Sequence, residues 1–291
     1  MASSEIELAQ APLKTIEQVK NDLKAWETQS LMIGVFGEVK SGKSTFINLV
    51  RGVTHLDLEK KDAMGRNLYA KTGITETTTE VEEYAFPDNP NVRLFDVPGA
   101  GTMDFNDFCQ MVDIKKFDAF IYFMKETFTE TDHQILSKIK ELGKPYLFCR
   151  TMLDIDAQNL SRNNPINVDF HQLWKEEMDA VIKEAKDLMN EDSTERIFLI
   201  SYLNELRLKR HQSEDVVLKF DGLEKAKCYL ANKLEGLQKE AFLFSLKNLT
   251  KDTLKLKMDI LKRRVWMVVA ASTVAGAMPI PGLNVAIDAG I

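Results

Sequence analysis

The chain has 291 residues, of which 44% are hydrophobic and 28% charged, and such a chain can bury the core of one large domain or of about two. Its formal net charge of −6 gives no electrostatic basis for nucleic-acid binding, so we expect no nucleic-acid partner. The three cysteines, Cys109, Cys149 and Cys228, fit neither a disulfide framework nor a zinc site, and we expect free thiols in a reducing cytoplasm.

The first predicted elements are a helix, a strand and a second helix. Apolar side chains recur at helical spacing over residues 12–29. The short apolar run 31–36 predicts a buried strand, and residues 45–50 open the next helix after an intervening loop. Residues 54–80 are polar and rich in threonine, and we interpret them as a mobile loop.

The following elements alternate between strand and helix. Strands over 80–86 and 92–96 flank a predicted turn at Pro87–Asn91. Three further buried strands are predicted, at 119–123, 146–149 and 197–200. Helices are predicted at 130–142 and 170–190. From residue 221 onward the pattern is helical only. This order predicts an α/β fold with a mostly parallel sheet and right-handed crossovers.

The strongest motif is a phosphate-binding loop of the form G-x-x-x-x-G-K-[ST], with an apolar strand before it and a helix after it. Its glycines let backbone N–H groups surround phosphate oxygens, and the helix adds its positive dipole end. In this pattern Lys43 reaches the β- and γ-phosphates, and the Ser44 hydroxyl binds Mg²⁺. The residues predicted to bind nucleotide here are Gly37, Glu38, Val39, Lys40, Ser41, Gly42, Lys43, Ser44 and Thr45.

A second motif, Asp-Val-Pro-Gly, runs from Asp96 to Gly99 at the end of a predicted strand. An open α/β sheet places its ligand chemistry at such strand ends. We expect Asp96 to hold a water of the Mg²⁺ ion and Gly99 to offer its N–H to the γ-phosphate. A loop threonine that binds Mg²⁺ only beside a γ-phosphate would make the preceding loop a switch. The pattern leaves four candidates open: Thr75, Thr77, Thr78 and Thr79.

The identity of the base is predicted from the segment Thr151 to Asp154. Asp154 can accept two hydrogen bonds from guanine, and adenine would leave this carboxylate unpaired. The usual guanine pattern is Asn/Thr-Lys-x-Asp, so Met152 replaces a lysine; its thioether chain can cover the base but cannot replace the lysine's hydrogen bonds. Ser201 is assigned near guanine O6 from its position alone. We therefore expect GTP and GDP with Mg²⁺, with an ATP-using phosphoryl-transfer protein as the weaker reading.

Together these residues resemble the immunity-related (interferon-inducible) GTPases over most of the chain. The similar segments are 37–48, 72–80, 91–102, 148–154, 197–201 and 261–266. The resemblance implies a Ras-like P-loop GTPase domain over 30–220 and an α-helical domain built from both chain ends, 1–29 and 221–291. It also implies GTP-dependent self-association through the GTPase domain and action at intracellular membranes in cell-autonomous defence.

The resemblance further assigns roles within the site. It implies that Thr78 is the switch threonine, and that Glu38 contributes to hydrolysis in trans across a dimer. Ala100 stands where many small GTPases carry a water-orienting glutamine, so water positioning must come from elsewhere, with Glu38 the candidate. The predicted catalytic residues are Glu38, Lys43, Thr78 and Gly99. The predicted metal-site residues are Ser44, Thr78 and Asp96.

The C-terminal segment leaves two interpretations open. Residues 245–264 predict a basic amphipathic helix, and residues 265–287 carry no charge and are long enough to span a bilayer. Pro279–Gly282 interrupts this run, which favours a packed helical hairpin over membrane contact.

Two departures from the family keep a second function open. Met152 replaces the lysine, and the chain ends at Ile291, so we expect a helical domain that is either naturally short or truncated. Both features favour a nucleotide-binding regulatory scaffold with negligible hydrolysis. The complete phosphate loop, with Asp96 and Gly99, favours a GTP hydrolase.

Overall fold

The computed structural model describes residues 16–72, 80–101, 103–124, 129–164, 168–191, 193–209, 215–247 and 250–274. The main sheet contains β1 (Leu31–Gly37), β2 (Glu82–Phe86), β3 (Asn89–Asp96), β4 (Ala119–Met124), β5 (Tyr146–Arg150) and β6 (Ile197–Leu199). Across the sheet the order is β2-β3-β1-β4-β5-β6. Only the pairing of β2 with β3 is antiparallel among these strands, which confirms the predicted mostly parallel α/β sheet.

Helices cover both faces of this sheet. They are α1 (Ile16–Thr28), α2 (Lys43–Arg51), α3 (Phe105–Met111), α4 (Glu130–Glu141), α5 (Leu153–Asn163), α6 (Phe170–Leu188), α7 (Gly222–Lys233), α8 (Gly236–Ser245) and α9 (Lys251–Val274). A small antiparallel hairpin, β7 (Glu205–Leu208) and β8 (Val216–Lys219), stands apart from the sheet. Helices α3 and α5 and this hairpin were not predicted from the sequence.

The core lies on both sides of the parallel strands, as expected for strands that read as continuous apolar runs. On one face Ile33 and Val35 of β1 join Ile47 of α2 and Phe242 of α8 in one cluster. On the other face the aromatic rings of a second cluster pack together; its fully buried members include Phe36, Phe108, Phe117, Phe120 and Phe148.

The helical layer is built from both ends of the chain, as predicted. In α1, the Trp26 ring lies 4.9 Å from the Phe244 ring of α8. The Arg264 side chain of α9 donates to the Leu23 carbonyl at 2.9 Å and pairs with Glu240. No helix within the described ranges has the combination of length and apolarity that crossing a bilayer requires.

Some predicted boundaries were wrong. The turn predicted at Pro87–Asn91 is only two residues long, because Asn89 already pairs with Phe86. The helix predicted at 245–264 is interrupted: α8 ends at Ser245 and α9 begins at Lys251. Here the Thr250 N–H donates to the Thr253 hydroxyl oxygen at 2.9 Å, a side-chain contact that satisfies a backbone donor at the start of the new helix.

Other predicted ranges are partly covered by the structure. In the loop predicted at 54–80, the described part contains a 3₁₀ turn at His55–Asp57 and a short bridge between Lys61 and Asn67. The first residues of the helix predicted at 12–29 lie outside the described residues, and so does the segment 275–291 that contains the predicted proline break.

Candidate functional site

The phosphate loop leaves β1 at Gly37 and enters α2 at Lys43. Gly37 has φ 121° and Gly42 has φ 90°, a region of backbone conformation that favours glycine. A Cβ atom on Gly37 would lie 2.0 Å from the Phe123 carbonyl oxygen, so β4 allows no side chain there. Lys40 also has positive φ, at 63°. The local fold therefore depends on the glycines of the motif.

The Lys43 side chain turns back into this loop. Its ammonium group donates to the Gly37 and Glu38 carbonyl oxygens, both at 2.8 Å, although only 7% of the residue is exposed. The Ser41 hydroxyl donates to the same Glu38 carbonyl at 2.7 Å. These two neutral carbonyl contacts of a buried cation can be exchanged for stronger, charge-assisted hydrogen bonds to anionic oxygens.

The side chains of Ser44, in the first turn of α2, and Asp96, at the end of β3, are in contact next to the phosphate loop. The Ser44 hydroxyl donates to one carboxylate oxygen of Asp96 at 2.7 Å. The other oxygen is buried and has no hydrogen-bond partner among the described residues. Burial raises the pKa of Asp96, while Lys43 and the Ser44 hydroxyl act to lower it. This arrangement fits a hydrated Mg²⁺ ion that the hydroxyl would bind directly and the unpartnered carboxylate oxygen would bind through a water.

Gly99 closes the site from the side of β3. A Cβ atom at this position would lie 3.0 Å from the Val39 backbone nitrogen and 3.1 Å from the Gly37 carbonyl oxygen. The segment after Asp96 is therefore in close contact with the phosphate loop. The next residue, Ala100, is buried in the same apolar cluster as Val97 and Phe108.

A second group of side chains lies at the ends of β5 and β6. Asp154, in the first turn of α5, accepts a hydrogen bond from the Ser201 hydroxyl at 3.2 Å. Ser201 in turn accepts the Leu203 N–H at 3.1 Å. Met152, the N-cap residue just before α5, has φ 67°, a left-handed conformation that is uncommon for a residue with a side chain. Asp154 and Ser201 are thus in contact, and their assignment to the base stays a prediction.

Thr151 connects the two groups. It is 1% exposed, and its hydroxyl donates to the Ser41 carbonyl at 2.7 Å. All predicted site residues within the described ranges thus gather at the carboxyl edge of the sheet, and Thr45 follows Ser44 in the first turn of α2. Thr75, Thr77, Thr78 and Thr79 lie outside the described residues, so the threonine prediction stays a prediction.

Two residues at this edge were missed by sequence reasoning. The Tyr202 hydroxyl donates to the Gly42 carbonyl at 2.7 Å. Asn48 of α2 bonds both backbone groups of Ala70, donating to its carbonyl at 2.7 Å and accepting its N–H at 2.8 Å. No local sequence pattern would have revealed Tyr202. Asn48 could have been noticed, because it is an amide side chain at a buried position of an amphipathic helix.

This geometry is that of a P-loop domain, with the phosphate loop at one end of the site and the pair of Asp154 and Ser201 at the other. The chain belongs to the interferon-inducible GTPase family, because the family profile described as "Interferon-inducible GTPase (IIGP)" matches residues 7–289. The predicted family resemblance is thereby confirmed.

Individual relatives agree with this assignment. The chain is 30% identical over 276 residues to T-cell-specific guanine nucleotide triphosphate-binding protein 2 of Mus musculus, covering 94% of this chain and 60% of that protein. It is 28% identical over 267 residues to Interferon-inducible GTPase 1 of Mus musculus, covering 91% of this chain and 59% of the relative. The chain therefore spans about three fifths of the length of these curated relatives.

A likeness to solved structures is also found. The GDP·AlF4⁻-bound Y63A form of Era from Aquifex aeolicus superposes with a TM-score of 0.38 at 19% identity, covering 72% of this chain and 58% of that one. A score this low adds nothing to the family assignment.

Proposed function

We propose that this chain binds GTP and GDP with Mg²⁺ and hydrolyses GTP, switching conformation between the two nucleotide states. The observation that carries this proposal is the contact of the half-buried Ser44 with the buried Asp96, whose side chains are joined at 2.7 Å beside a complete phosphate loop. A structural serine–aspartate pair would use both carboxylate oxygens, whereas here one is left without a partner among the described residues.

The phosphate end has a defined division of roles. Lys43 exchanges its two carbonyl contacts for the β- and γ-phosphates, and the loop N–H groups from Glu38 to Thr45 surround the phosphate oxygens. Ser44 and Thr78 would hold Mg²⁺ directly, and Asp96 would do so through a water. When bound, the ion neutralises charge on the β- and γ-phosphate oxygens. Gly99 directs its N–H to the γ-phosphate.

The base end supports guanine over adenine. Asp154 accepts two hydrogen bonds from guanine N1 and N2, and the Ser201 hydroxyl donates to one oxygen of the same carboxylate. Ser201 also offers its backbone N–H to guanine O6. Thr151 aligns this end with the loop, and Met152 covers the base face without adding hydrogen bonds. An adenine nucleotide would leave the Asp154 carboxylate unpaired.

Hydrolysis requires a group that orients water, and we assign it to Glu38 of a second copy. Ala100 cannot supply this group, because its short apolar side chain is buried in the core. Glu38 is half-buried at the start of the phosphate loop, two residues before the exposed Lys40, and we propose that two GTPase domains exchange it across their interface. Self-association in the GTP state then completes the catalytic site, and turnover rises with protein concentration.

Titrating GTP, GDP and ATP, while following phosphate release as protein concentration rises, tests this function. We expect guanine nucleotides to bind tighter than ATP and specific activity to increase with concentration. Glu38→Ala should lower turnover more than affinity, while the matched change Glu59→Ala, an exposed glutamate outside the loop, should change neither. Tighter binding of ATP than of GTP would overturn the guanine assignment. Absence of phosphate release at every protein concentration would overturn the proposal of GTP hydrolysis.

Absence of turnover with retained GTP binding would favour the second candidate, a nucleotide-binding regulatory scaffold. The observation in its favour is Met152, which removes a lysine from the base end and adopts a left-handed backbone there. In either case we place the protein in the cytoplasm and in cell-autonomous innate immunity.

We also propose peripheral contact with intracellular membranes through α9. Large apolar side chains recur at helical spacing along its exposed face, from Leu254, 47% exposed, to Val265, 58% exposed. The members of this stripe are Leu254, Met258, Leu261 and Val265. Three exposed lysines lie along one side of it: Lys251, Lys255 and Lys262. An apolar stripe beside a basic column suits the interface of an anionic bilayer.

A further inference from the structure

Tyr202 stands at the junction of the two ends of the site. It immediately follows Ser201, whose hydroxyl bonds Asp154 at the base end, and its own hydroxyl reaches the Gly42 carbonyl of the phosphate loop at 2.7 Å. Successive residues of one short segment therefore contact opposite ends of the nucleotide site. The sequence separation between Tyr202 and Gly42 is 160 residues, so this contact is a product of the tertiary fold.

The contact is close and built into the loop. A Cβ atom on Gly42 would lie 2.6 Å from the Tyr202 hydroxyl oxygen and 3.3 Å from its ring. The Gly42 carbonyl also accepts the Phe46 N–H at 3.0 Å, the first hydrogen bond of α2. A carbonyl oxygen has two lone pairs and can accept both donors. Burial raises the pKa of Tyr202 well above its usual value, so the hydroxyl remains protonated.

A second segment repeats this arrangement. Thr151 precedes Asp154 by three residues, and its hydroxyl bonds the Ser41 carbonyl. The segments after β5 and after β6 each supply one residue to the base end and one hydroxyl to a neighbouring loop carbonyl. Movement of the phosphate loop away from its ligand must therefore break hydrogen bonds that originate at the base end.

We propose that Tyr202 is a positioning residue that couples guanine recognition to the phosphate loop and thereby sets the lifetime of the bound nucleotide. The coupling rests on the proposed guanine-nucleotide function. When the base is bound, the segment 201–203 is fixed, and the tyrosine holds the loop closed over the phosphates. When the base contacts are weakened, the loop opens more often and the nucleotide leaves sooner.

Tyr202→Phe tests the coupling with the smallest change, because the ring and its packing against the core are kept. Release of N-methylanthraniloyl-labelled GDP is followed after adding excess unlabelled GDP. We expect about 3–10-fold faster release, the effect of losing one neutral hydrogen bond, with an unchanged association rate. Tyr229→Phe, a tyrosine on α7 whose hydroxyl bonds Arg196, is the matched control and should release GDP at the wild-type rate.

A ligand lacking one base contact separates coupling from simple support of the loop. Inosine diphosphate lacks the exocyclic amino group that donates a hydrogen bond to Asp154 in the proposed complex. Wild-type protein should therefore release inosine diphosphate faster than GDP. In the Tyr202→Phe protein the ratio of these two rates should fall toward one, because base contacts no longer reinforce the loop. An unchanged ratio would mean that the tyrosine acts on the loop alone, and would overturn the coupling.

The remaining outcomes are also distinct. Wild-type protein that retains no labelled GDP would contradict the proposed function itself. Retention by wild type with equal release from the Tyr202→Phe variant would overturn the inference and leave the function intact. A lowered unfolding midpoint of the nucleotide-free variant, together with a release rate equal to that of wild type, would assign Tyr202 a purely structural role and overturn the coupling.

Discussion

At the scale of single residues, Asp96 is held in an environment that disfavours its charge. It is 1% exposed, and one of its oxygens lacks a hydrogen-bond partner among the described residues. Burial raises its pKa above the ordinary value. A raised carboxyl pKa means that the folded state holds the proton more tightly than the unfolded state does. The ionised group therefore reduces the free energy of unfolding at neutral pH.

Asp96→Asn should consequently stabilise the nucleotide-free protein while weakening Mg²⁺-dependent nucleotide binding. We expect the free energy of unfolding at pH 7 to rise on the order of 1 kcal/mol. The gain should develop as the pH rises from about 4, the unfolded value, through the raised folded pKa, and it should vanish below that window, where wild-type Asp96 is protonated in both states. Denaturant unfolding in a chelator across this range measures it.

The control for this change is Asp118→Asn. Asp118 accepts the Met32 N–H at 2.8 Å and is part-buried at the opposite end of the sheet, so nucleotide binding should be unaffected. A destabilised Asp96→Asn protein at pH 7 would contradict the argument that the site sacrifices stability for cation binding.

The residues of the site differ in how far the sequence predicts them. The loop from Gly37 to Ser44 is a contiguous pattern whose geometry is local, so it can be read directly. Asp96 and Asp154 follow from their positions at strand ends. Tyr202 could not be predicted, because its contact with Gly42 depends on how β6 lies in the sheet. The burial of Ala100 likewise depends on α3, an element that the pattern did not reveal.

At the scale of elements, Asn48 fixes the beginning of the segment that leads to the predicted switch threonine. Its amide satisfies both backbone groups of Ala70, and all of these groups are buried. Ala70 lies shortly before the segment that contains Thr78. Helix α2, which carries Lys43 and Ser44, is thus joined directly to the chain that would supply the remaining Mg²⁺ ligand.

Asn48→Ala should loosen this connection. Two buried backbone groups lose their partner, at a cost of roughly 2–4 kcal/mol in the free energy of unfolding. If Thr78 binds the ion only in the GTP state, affinity for GTP should fall more than affinity for GDP, which binding titrations would measure. Asn91→Ala, which removes a hydrogen bond to the Glu27 carbonyl at 2.7 Å, is the control. Equal losses for both nucleotides would argue against a switch role for this segment.

The accuracy of the element predictions follows from periodicity and length. Strands buried on both faces were predictable because their apolar runs are continuous. Helices α4 and α6 were predictable from their long amphipathic pattern. The short helix α3 shows little periodicity, although Asp104 caps it by accepting the Asn106 N–H at 2.8 Å. The break between α8 and α9 was missed because apolar spacing continues across it, and only the Thr250–Thr253 cap marks it.

At the scale of the whole molecule, α9 has one face in the helical layer and another outside it. Thr253 and Ile260 are buried, and Arg264 bonds α1 and α8. The opposite side carries the exposed stripe from Leu254 to Val265. Contacts with α1 and α8 therefore hold the helix in place while its apolar stripe faces outward. This arrangement is suited to contact with another surface.

A double change, Met258→Glu with Leu261→Glu, should abolish vesicle binding without unfolding the protein, because both side chains are about half exposed. Co-flotation with phosphatidylserine–phosphatidylcholine vesicles measures this. Replacing Lys251, Lys255 and Lys262 by alanine should weaken binding and reduce its sensitivity to salt, each lysine contributing about 1 kcal/mol near an anionic surface. Leu237→Glu, an exposed apolar position on α8, is the matched control.

The two sets of variants separate a lipid surface from a protein surface. Both the apolar stripe and the lysine column contribute to binding at an anionic bilayer. Binding to vesicles that lack phosphatidylserine should therefore lose only the electrostatic contribution of the lysines. If the stripe instead contacts a second copy, the glutamate variants should lower the oligomer mass in solution while wild-type protein fails to float with either vesicle. That result would assign α9 to self-association, and membrane contact would then have to arise elsewhere in the chain.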